Sequence, residues 1–204
     1  YLDSLFNKGY ETLNTSPDKG LIYSEDLYIL SEKAGNKTYQ GYALYLKAEA
    51  YLAKSEFSLA IDYYNEALQA FTDLNDSMGM GCVYNGLGIL NDEYEKYDES
   101  LFFYKKALDT DSSILEDVLT TKNNIARVYA TVGNYSESKK YIKQVKIQSK
   151  IENDSASYFL ADEIFADLLY YKENYKGALD IILNSINFWK RVNKSEKVHK
   201  FFAP

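Results

Sequence analysis

Small side chains recur among longer apolar ones along the chain, at intervals close to 40 residues. The markers lie 40, 40, 38 and 40 positions apart, at Gly20, Ala60, Ser100, Ser138 and Ala178. Around them, apolar and small residues are spaced by 3, 4 and 7 positions, as in Ala60, Tyr64 and Ala67, which keeps them on one face of an α-helix. A repeat of this length is typical of an array in which each unit packs on its neighbours. The pattern therefore predicts a stack of helical units.

Aligned on this period, the chain divides into five units of two helices each. The units span residues 1–40, 41–80, 81–118, 119–158 and 159–198, and the residues after 198 have the pattern of a further helix. A second small column falls in the first helices, at Ala48, Gly88, Ala126 and Ala166. An aromatic column stands before the second helices, at Phe57, Tyr97, Tyr135 and Tyr175. Small facing residues let antiparallel helices approach closely while large ones fill the space beside them. The sequence predicts a single all-α domain over residues 1–204.

Asparagine recurs at the junctions between units, in the Asn-x-Ser/Thr sequences at Asn36, Asn75, Asn153 and Asn193. Such a sequence is an acceptor for N-glycosylation in secreted proteins. All four fall where one unit's second helix meets the next unit's first helix. Asn tolerates the left-handed conformation that ends a helix, and the Ser or Thr two residues later can cap the next helix. The shared register favours capping over glycosylation.

Taken together, the columns resemble the tetratricopeptide repeat. The resemblance rests on Leu87-Gly88, Tyr97-Asp98-Glu99-Ser100-Leu101 and Tyr104-Lys105-Lys106-Ala107-Leu108 in the third unit, and on Ala50-Tyr51, Phe57-Ser58-Leu59-Ala60-Ile61 and Ala67-Leu68 in the second. Units of that family usually have about 34 residues, so a period near 40 predicts longer helices. The resemblance implies a right-handed α-solenoid in which the first helices line a concave side and the second helices face outward.

The charge of the chain is divided unevenly between its two parts. Residues 1–118 contain 9 Lys and Arg against 21 Asp and Glu, a net charge of −12, and residues 119–204 contain 14 against 9, a net charge of +5. The acidic part disfavours bulk binding of nucleic acid through this domain. No run of 18 apolar residues is present, so the sequence predicts no membrane span.

Candidate catalytic and metal-binding residues are scarce in the sequence. Cys82 is the single cysteine and His199 the single histidine, so neither a cysteine-based zinc site nor a histidine-based catalytic triad can be assembled. We therefore expect no enzyme activity, no metal and no cofactor. One thiol does not fix a compartment, and the cytoplasm and, for the sensor part of a membrane regulator, the periplasm both stay open.

The resemblance also indicates where a ligand would bind, because it places the first helices along the groove. The first-helix residues off the packed face are expected to contact a peptide or protein: Tyr42, Tyr45, Glu49, Asn85, Ile89, Asn123, Asn124 and Arg127, with Glu163 and Asp167 further along. An asparagine amide can donate to and accept from a peptide backbone, and Arg127 can hold a carboxylate through two hydrogen bonds. The alternative is that the asparagines bond within the array. Family members that clamp a C-terminal carboxylate use a lysine pair that this chain lacks, so that ligand is not expected.

The expected function is a scaffold that binds a protein or peptide in the groove. The long units and tyrosine-rich helices resemble the repeat portions of bacterial signalling and transcription regulators, of which this chain would be the sensory or docking piece. Two alternatives stay open: a receptor for short signalling peptides, and a structural module that forms a homodimer through Phe201 and Phe202. A stripe of lysines at 139, 143, 146 and 150 indicates either an acidic partner or membrane surface, or a solvated outer helix face.

Overall fold

The computed structural model describes residues 1–110 and 115–202, without the side chains of residues 115–117, 189 and 192–202. These residues form ten α-helices and no strand. The helices are α1 (Leu2–Thr12), α2 (Pro17–Lys33), α3 (Lys37–Ala53), α4 (Phe57–Leu74), α5 (Ser77–Glu93), α6 (Tyr97–Asp109), α7 (Leu115–Thr131), α8 (Tyr135–Glu152), α9 (Ser155–Tyr171) and α10 (Tyr175–Phe202). The predicted fold class, an all-α repeat built of helix pairs, is confirmed.

The boundaries of the units differ from the predicted ones by a constant offset. Positions 41, 81, 119 and 159 each lie four residues beyond the first residue of α3, α5, α7 and α9. The offset arises because the predicted bounds were set by packed small residues inside the helices. The helices themselves begin directly after an N-cap residue, as α3 does after Asn36. A second difference concerns α10, which continues without interruption to Phe202. The further helix predicted after residue 198 therefore does not begin there, and residues 190–200 contain no Gly or Pro that would end α10.

The contacts divide the chain into two compact units, residues 1–121 and 122–204, with the boundary inside α7. In the first compact unit, each helix from α1 to α5 packs on the next one along the chain, and α3 also contacts α1 and α5. In the second unit, α9 packs on both α8 and α10. Packing between sequence neighbours is the arrangement that a repeat array requires. That the whole chain acts as a single domain stays a prediction.

The two small columns face each other within the helix pairs. Ala48 and Ala60 are fully buried. In the next pair the Ser100 hydroxyl donates to the Gly88 carbonyl oxygen at 2.9 Å. In the second unit the Ser138 hydroxyl donates to the Ala126 carbonyl oxygen at 2.7 Å. A serine can replace alanine in this column because the nearby backbone carbonyl satisfies its hydroxyl. The predicted close approach of the helices is confirmed.

Large rings lie directly on the backbone where α5 carries glycine. A Cβ atom added at Gly88 would lie 2.5 Å from the Tyr104 ring, and one added at Gly86 would lie 2.5 Å from the Tyr64 hydroxyl. Both tyrosines are fully buried. Gly86 and Gly88 therefore make room for aromatic side chains.

Left-handed residues close the helices at regular positions. Between the first and second helices of a pair, φ is 58° at Ser55, 57° at Glu95, 78° at Gly133 and 61° at Glu173. The aromatic column follows two residues later and provides the first residue of α4, α6, α8 and α10. A sharp reversal at the same point of the second to fifth helix pairs keeps their packing columns in register.

The junctions between pairs are capped, though not by the predicted residues. Asn75 and Asn153 adopt the left-handed conformation as expected, but the caps are Asp76 and Asp154, whose carboxylates accept from the backbone N–H of Gly79 and Ser157. At the first junction Gly35 is left-handed and Asn36 itself is the cap. An aspartate next to Asn reaches the N–H three residues on, which displaces Ser or Thr from that role. Asn193, in the fourth sequence, lies within α10.

We predict that Gly88→Ala lowers the free energy of unfolding. The new methyl group meets the buried Tyr104 ring, and such overpacking costs about 1–3 kcal/mol, more than the gain of about 1 kcal/mol in helix propensity. Urea denaturation followed by circular dichroism measures the change. Asn65→Ala is the control, because Asn65 is an exposed residue in the middle of α4 and its replacement meets no buried ring; this change stays within about 0.5 kcal/mol. Equal stability of both variants would remove the close-approach argument.

We also predict opposite effects of two changes at left-handed turns. Ser55→Gly raises the free energy of unfolding by about 0.5–1 kcal/mol, since a left-handed residue with a Cβ atom is strained. Gly133→Ala lowers it by about 1 kcal/mol for the same reason. A Cβ atom at Gly133 meets nothing within 4 Å, so its effect reports backbone conformation alone. The same urea titrations test both changes, and a neutral Gly133→Ala variant contradicts the prediction.

Candidate functional site

The first helices of the first unit enclose a cavity of about 540 Å³. Its lining comes from α1, α3 and α5, with the end of α6 and the start of α7. Five aromatic side chains line it, here called the aromatic wall: Phe6, Tyr10, Tyr39, Tyr42 and Tyr45. The polar lining consists of Asp3, Asn7, Asn85, Thr120 and Thr121. Four first helices thus provide most of one concave surface, as the resemblance implied.

The aromatic wall is held together by contacts between its rings. The Phe6 ring lies 5.3 Å from that of Tyr42, 6.0 Å from Tyr10 and 6.5 Å from Tyr45, between centroids. Tyr39 lies 6.0 Å from Tyr42. Rings at these separations and tilts attract one another through their quadrupoles. The wall is therefore a preformed surface, with Tyr45 5% exposed at its base and Tyr10 47% exposed at its edge.

Helical spacing explains why these side chains share one surface. Asp3, Asn7 and Tyr10 are separated by 4 and 3 positions on α1, and Tyr39, Tyr42 and Tyr45 by 3 and 3 positions on α3. Residues at such spacings lie on one face of a helix. The sequence analysis missed the α1 residues because the first repeat, residues 1–40, matches the repeat pattern poorly. The same 3-and-4 spacing on α1 was the signal that could have found them.

Glu49 lies behind the wall and does not line the cavity. The Tyr64 hydroxyl donates to Glu49 Oε1 at 2.6 Å. Burial raises the pKa of Glu49, although hydrogen bonds from Tyr64 and Tyr45 act in the opposite direction. Burial and the neighbouring carboxyl raise the pKa of both tyrosines well above the ordinary value, so their phenols stay protonated donors. Of the predicted site residues, Glu49 supports the wall from within.

Two predicted residues on α5 occupy different positions. Asn85 lines the cavity, and its Oδ1 accepts from the buried Thr121 hydroxyl at 3.1 Å. The sequence left two alternatives for Asn85, that it contacts a ligand or that it bonds within the array. Its position allows both, because it lines the cavity and also bonds Thr121. Ile89 is half-buried on the same helix and is not part of the lining.

The predicted residues of α7 lie in the second unit, where two of them are buried. Asn123 is 1% exposed and Asn124 is 8% exposed, so the expectation that they face the groove openly is wrong. Asn123 Nδ2 donates to the Ser157 carbonyl oxygen of α9 at 3.2 Å, which is the internal bond that the alternative predicted. Arg127 is exposed, as are Glu163 and Asp167 on α9.

The lysine stripe of α8 borders a second, shallower groove of about 360 Å³ in the second unit. Lys146 forms an ion pair with Asp162 of α9 and lies 4.7 Å from the Tyr158 ring centroid. Lys139, Lys143 and Lys150 are exposed, while Ile142 and Val145 on the inner side are buried. The Lys139 ammonium lies 5.9 Å from the Phe165 ring centroid and the Lys150 ammonium 5.3 Å from that of Tyr158. Three lysines of the stripe therefore contact side chains of α9.

Among the side chains described for residues 1–110 and 115–202, no group of three His, Cys, Asp or Glu is arranged to hold a metal ion. No helix in the same ranges has the length and apolar content to cross a bilayer. Cys82 lines the aromatic cavity, half-buried and reduced.

Comparison with known families identifies the repeat. Models of the tetratricopeptide repeat match residues 18–113 and residues 119–146, which together are more than half of the chain. The chain belongs to the tetratricopeptide repeat family. Repeats of this family form scaffolds for protein–protein interaction and are typically not catalytic, so this chain is such a scaffold.

A curated relative and several solved structures extend the comparison of this tetratricopeptide repeat protein. A Guillardia theta protein named "Uncharacterized protein ycf37" is 28% identical over 131 residues, which are 64% of this chain and 70% of that protein. BtubC (BKLC) from P. vanneervenii has 16% identity and a TM-score of 0.71 over 87% of this chain and 75% of that one. A Podosopora anserina protein described as a kinesin light chain with TPR-like repeats has 13% identity and a TM-score of 0.67, covering 95% and 96%.

One further neighbour bears the name of an enzyme. Aspartyl phosphate phosphatase F from Bacillus subtilis has 14% identity and a TM-score of 0.71, over 98% of this chain and 57% of that one. At such identities the likeness shows the shared fold alone. The fold is thus shared with a protein named as an enzyme, and the activity of this chain must be argued from its own surface.

Because the carboxyl of Glu49 is buried, we predict that Glu49→Gln changes the stability of the protein in a pH-dependent way. Because the pKa of folded Glu49 is raised above its ordinary value of 4.5, folded Glu49 keeps its proton where the unfolded chain has lost it. Its contribution to stability is therefore full below pH 4.5 and is lost as the pH rises through the raised pKa. Glutamine keeps the acceptor for Tyr64 without the charge. We expect Glu49→Gln to match the parent near pH 4 and to exceed it in stability at pH 7.

Thermal denaturation across this pH range measures the difference between the two proteins. Glu66→Gln is the control, since Glu66 is an exposed residue of α4, and it should follow the parent at every pH. A constant difference between Glu49→Gln and the parent at all pH values would contradict the assignment of the effect to the carboxyl of Glu49.

Proposed function

We propose that this scaffold binds a peptide segment of a partner protein in the cavity of its first unit. The observation that carries the proposal is the aromatic wall, which borders a cavity of about 540 Å³ on the first helices. Cavities of about 300–1,000 Å³ with apolar walls and a few polar groups are typical ligand sites. Tyr42, Tyr45 and Asn85, which were predicted from the sequence, are part of the lining.

The side chains of the cavity suit a peptide better than a small charged metabolite. Tyrosine rings supply a large contact area and lose little conformational entropy on binding. The amide groups of Asn7 and Asn85 and the hydroxyl of Thr120 lie beside the rings and match the donors and acceptors of a peptide backbone. One or two side chains of the partner enter the cavity, and the rest of the segment follows the first helices.

The remaining predicted residues take secondary parts in this proposal. Glu49 supports α3, which carries Tyr39, Tyr42 and Tyr45 of the wall, and Ile89 is half-buried on α5. Asn123 holds α7 to α9 through the Ser157 carbonyl oxygen. Asn124 is buried and Arg127 is exposed on α7. Within a cell the scaffold acts as the sensory or docking part of a larger bacterial regulator. The fold that it shares with aspartyl phosphate phosphatase F of Bacillus subtilis supports that role.

We predict that substitutions at the exposed edge of the wall weaken peptide binding and leave the fold intact. The protein is immobilised and panned with a phage-displayed library of random peptides of about 12 residues, long enough to span one first-helix face, and recovered peptides are measured by fluorescence anisotropy. Tyr10→Ala and Asn7→Ala should each weaken binding, by about tenfold for Tyr10 because a ring contact of this kind is a typical hot spot. Both residues are exposed, so stability should change little.

Tyr171→Ala is the matched control, because Tyr171 is an exposed tyrosine of α9 in the second unit. It should bind the recovered peptides as the parent does. If Tyr10→Ala and Asn7→Ala bind with parental affinity, the cavity is not the site. Light scattering over a range of protein concentrations tests the alternative of a homodimer, and a constant monomer mass counts against self-association.

A further inference from the structure

The charge of the cavity specifies the kind of side chain that fits it. Asp3 is the one charged residue among the described side chains of the lining, and no Lys, Arg or His is among them. Five aromatic rings surround the same space. The faces of Tyr and Phe rings attract cations within about 6 Å of the ring centroid. Resting on the proposed function, we propose that the cavity selects a peptide with a lysine or arginine side chain inserted against the aromatic wall.

Asp3 is placed to receive the cationic end of such a side chain. The Tyr39 hydroxyl donates to Asp3 Oδ1, and this bond joins α1 to α3 at the rim of the cavity. The hydrogen bond orients the carboxylate, and the ion pairs between described residues do not include Asp3. A carboxylate held in one position by a neighbour binds an incoming cation at less entropic cost.

The apolar stem of the same side chain has a surface to contact. The methylene groups of lysine and arginine pack on aromatic rings while the charged group stays solvated. The chain itself contains contacts between a lysine ammonium and a tyrosine ring, with the Lys47 ammonium 4.7 Å from the Tyr63 ring centroid and the Lys106 ammonium 5.3 Å from that of Tyr84. Both pairs lie in the first unit. A partner lysine reproduces this contact on the wall, where the lining supplies rings and a carboxylate.

The net negative charge of the surrounding residues also favours a basic segment in the cavity. Residues 1–118 have 21 Asp and Glu against 9 Lys and Arg, and a concave surface of one charge concentrates ions of the other. A C-terminal carboxylate in the cavity would meet Asp3 and no basic group among the described side chains of the lining. Like-charge juxtaposition of this kind excludes acidic segments. The cavity thus selects by attraction of basic segments and by repulsion of acidic ones.

The test uses the panned peptides and their synthetic derivatives. Peptides recovered at about 50 mM KCl should share a lysine or arginine at one position, and their binding should weaken at about 500 mM KCl because the attraction is screened. Replacing that lysine by norleucine keeps the stem and removes the charge, and should weaken binding about tenfold. Asp3→Asn should weaken the lysine peptide to a similar extent and leave the norleucine peptide unchanged. The amide oxygen introduced by Asp3→Asn can still accept from Tyr39, so the rim keeps its geometry.

Asp26→Asn is the control for overall charge, since Asp26 is an exposed residue of α2 outside the lining. It should change the affinity for the lysine peptide less than twofold. If recovered peptides have no shared basic position, or if norleucine and lysine peptides bind equally, the selection of a cation is overturned while peptide binding stands. If no peptide is enriched over beads without protein, both proposals are overturned. If Asp3→Asn and Asp26→Asn lose equal affinity for the lysine peptide, the effect comes from the overall negative charge, and the specific role of Asp3 is overturned.

Discussion

The structure depends on close approach between helix backbones at two facing columns of small side chains. Where both residues are alanine, as at Ala48 and Ala60, the contact is apolar and fully buried. Where the second residue is serine, its hydroxyl bonds the carbonyl of the facing residue, so a polar group is accepted without an unsatisfied donor. Because helices cannot approach this closely with larger residues at the crossing, the columns fix which faces meet. Every other feature of the units, including the direction in which the first helices present their remaining side chains, follows from that contact.

Tyrosine has two distinct roles in this arrangement, and its helix decides which one. On the second helices, Tyr64 and Tyr104 are fully buried and lie on glycine backbones of α5. On the first helices, Tyr39 and Tyr42 point into the cavity. Glu49 connects the two roles, since it accepts from buried Tyr64 while hydrogen bonding from Tyr45 of the wall also acts on its pKa. The hydrogen bonds to the buried Glu49 carboxyl therefore also support the wall. Because Tyr64 is on α4 and Tyr45 on α3, these bonds couple the ring positions to the packing of α3 on α4.

The sequence was sufficient for the features that depend on periodicity. The small columns, the aromatic first residues of the second helices and the number of helix pairs among the described residues follow from spacing alone. Capping was harder to predict, because neighbouring residues compete for one backbone N–H and Asp76 is better positioned than Ser77. At the candidate site, Tyr42, Tyr45 and Asn85 were predicted because the resemblance places the first helices along a groove, and they line the cavity. Asn123 was expected to face the groove because it lies off the packed face of a first helix, whereas the Ser157 carbonyl of α9 holds it inside. A partner that far along the chain, on another helix, cannot be inferred from local pattern.

The position of the cavity within the chain is also consistent with its chemistry. An aromatic wall that faces solvent keeps apolar surface in contact with water. Covering that surface with a side chain would gain roughly 25 cal/mol for each Å² of apolar area buried. Within the first unit this surface coincides with the acidic part of the chain, and Asp3, the one charged residue among the described lining side chains, is acidic as well. Lysine-rich α8 lies in the second unit, where Lys146 is already paired with Asp162. Since no described side chain of the lining is basic, no lysine or arginine of the lining competes with the proposed partner for the rings and Asp3.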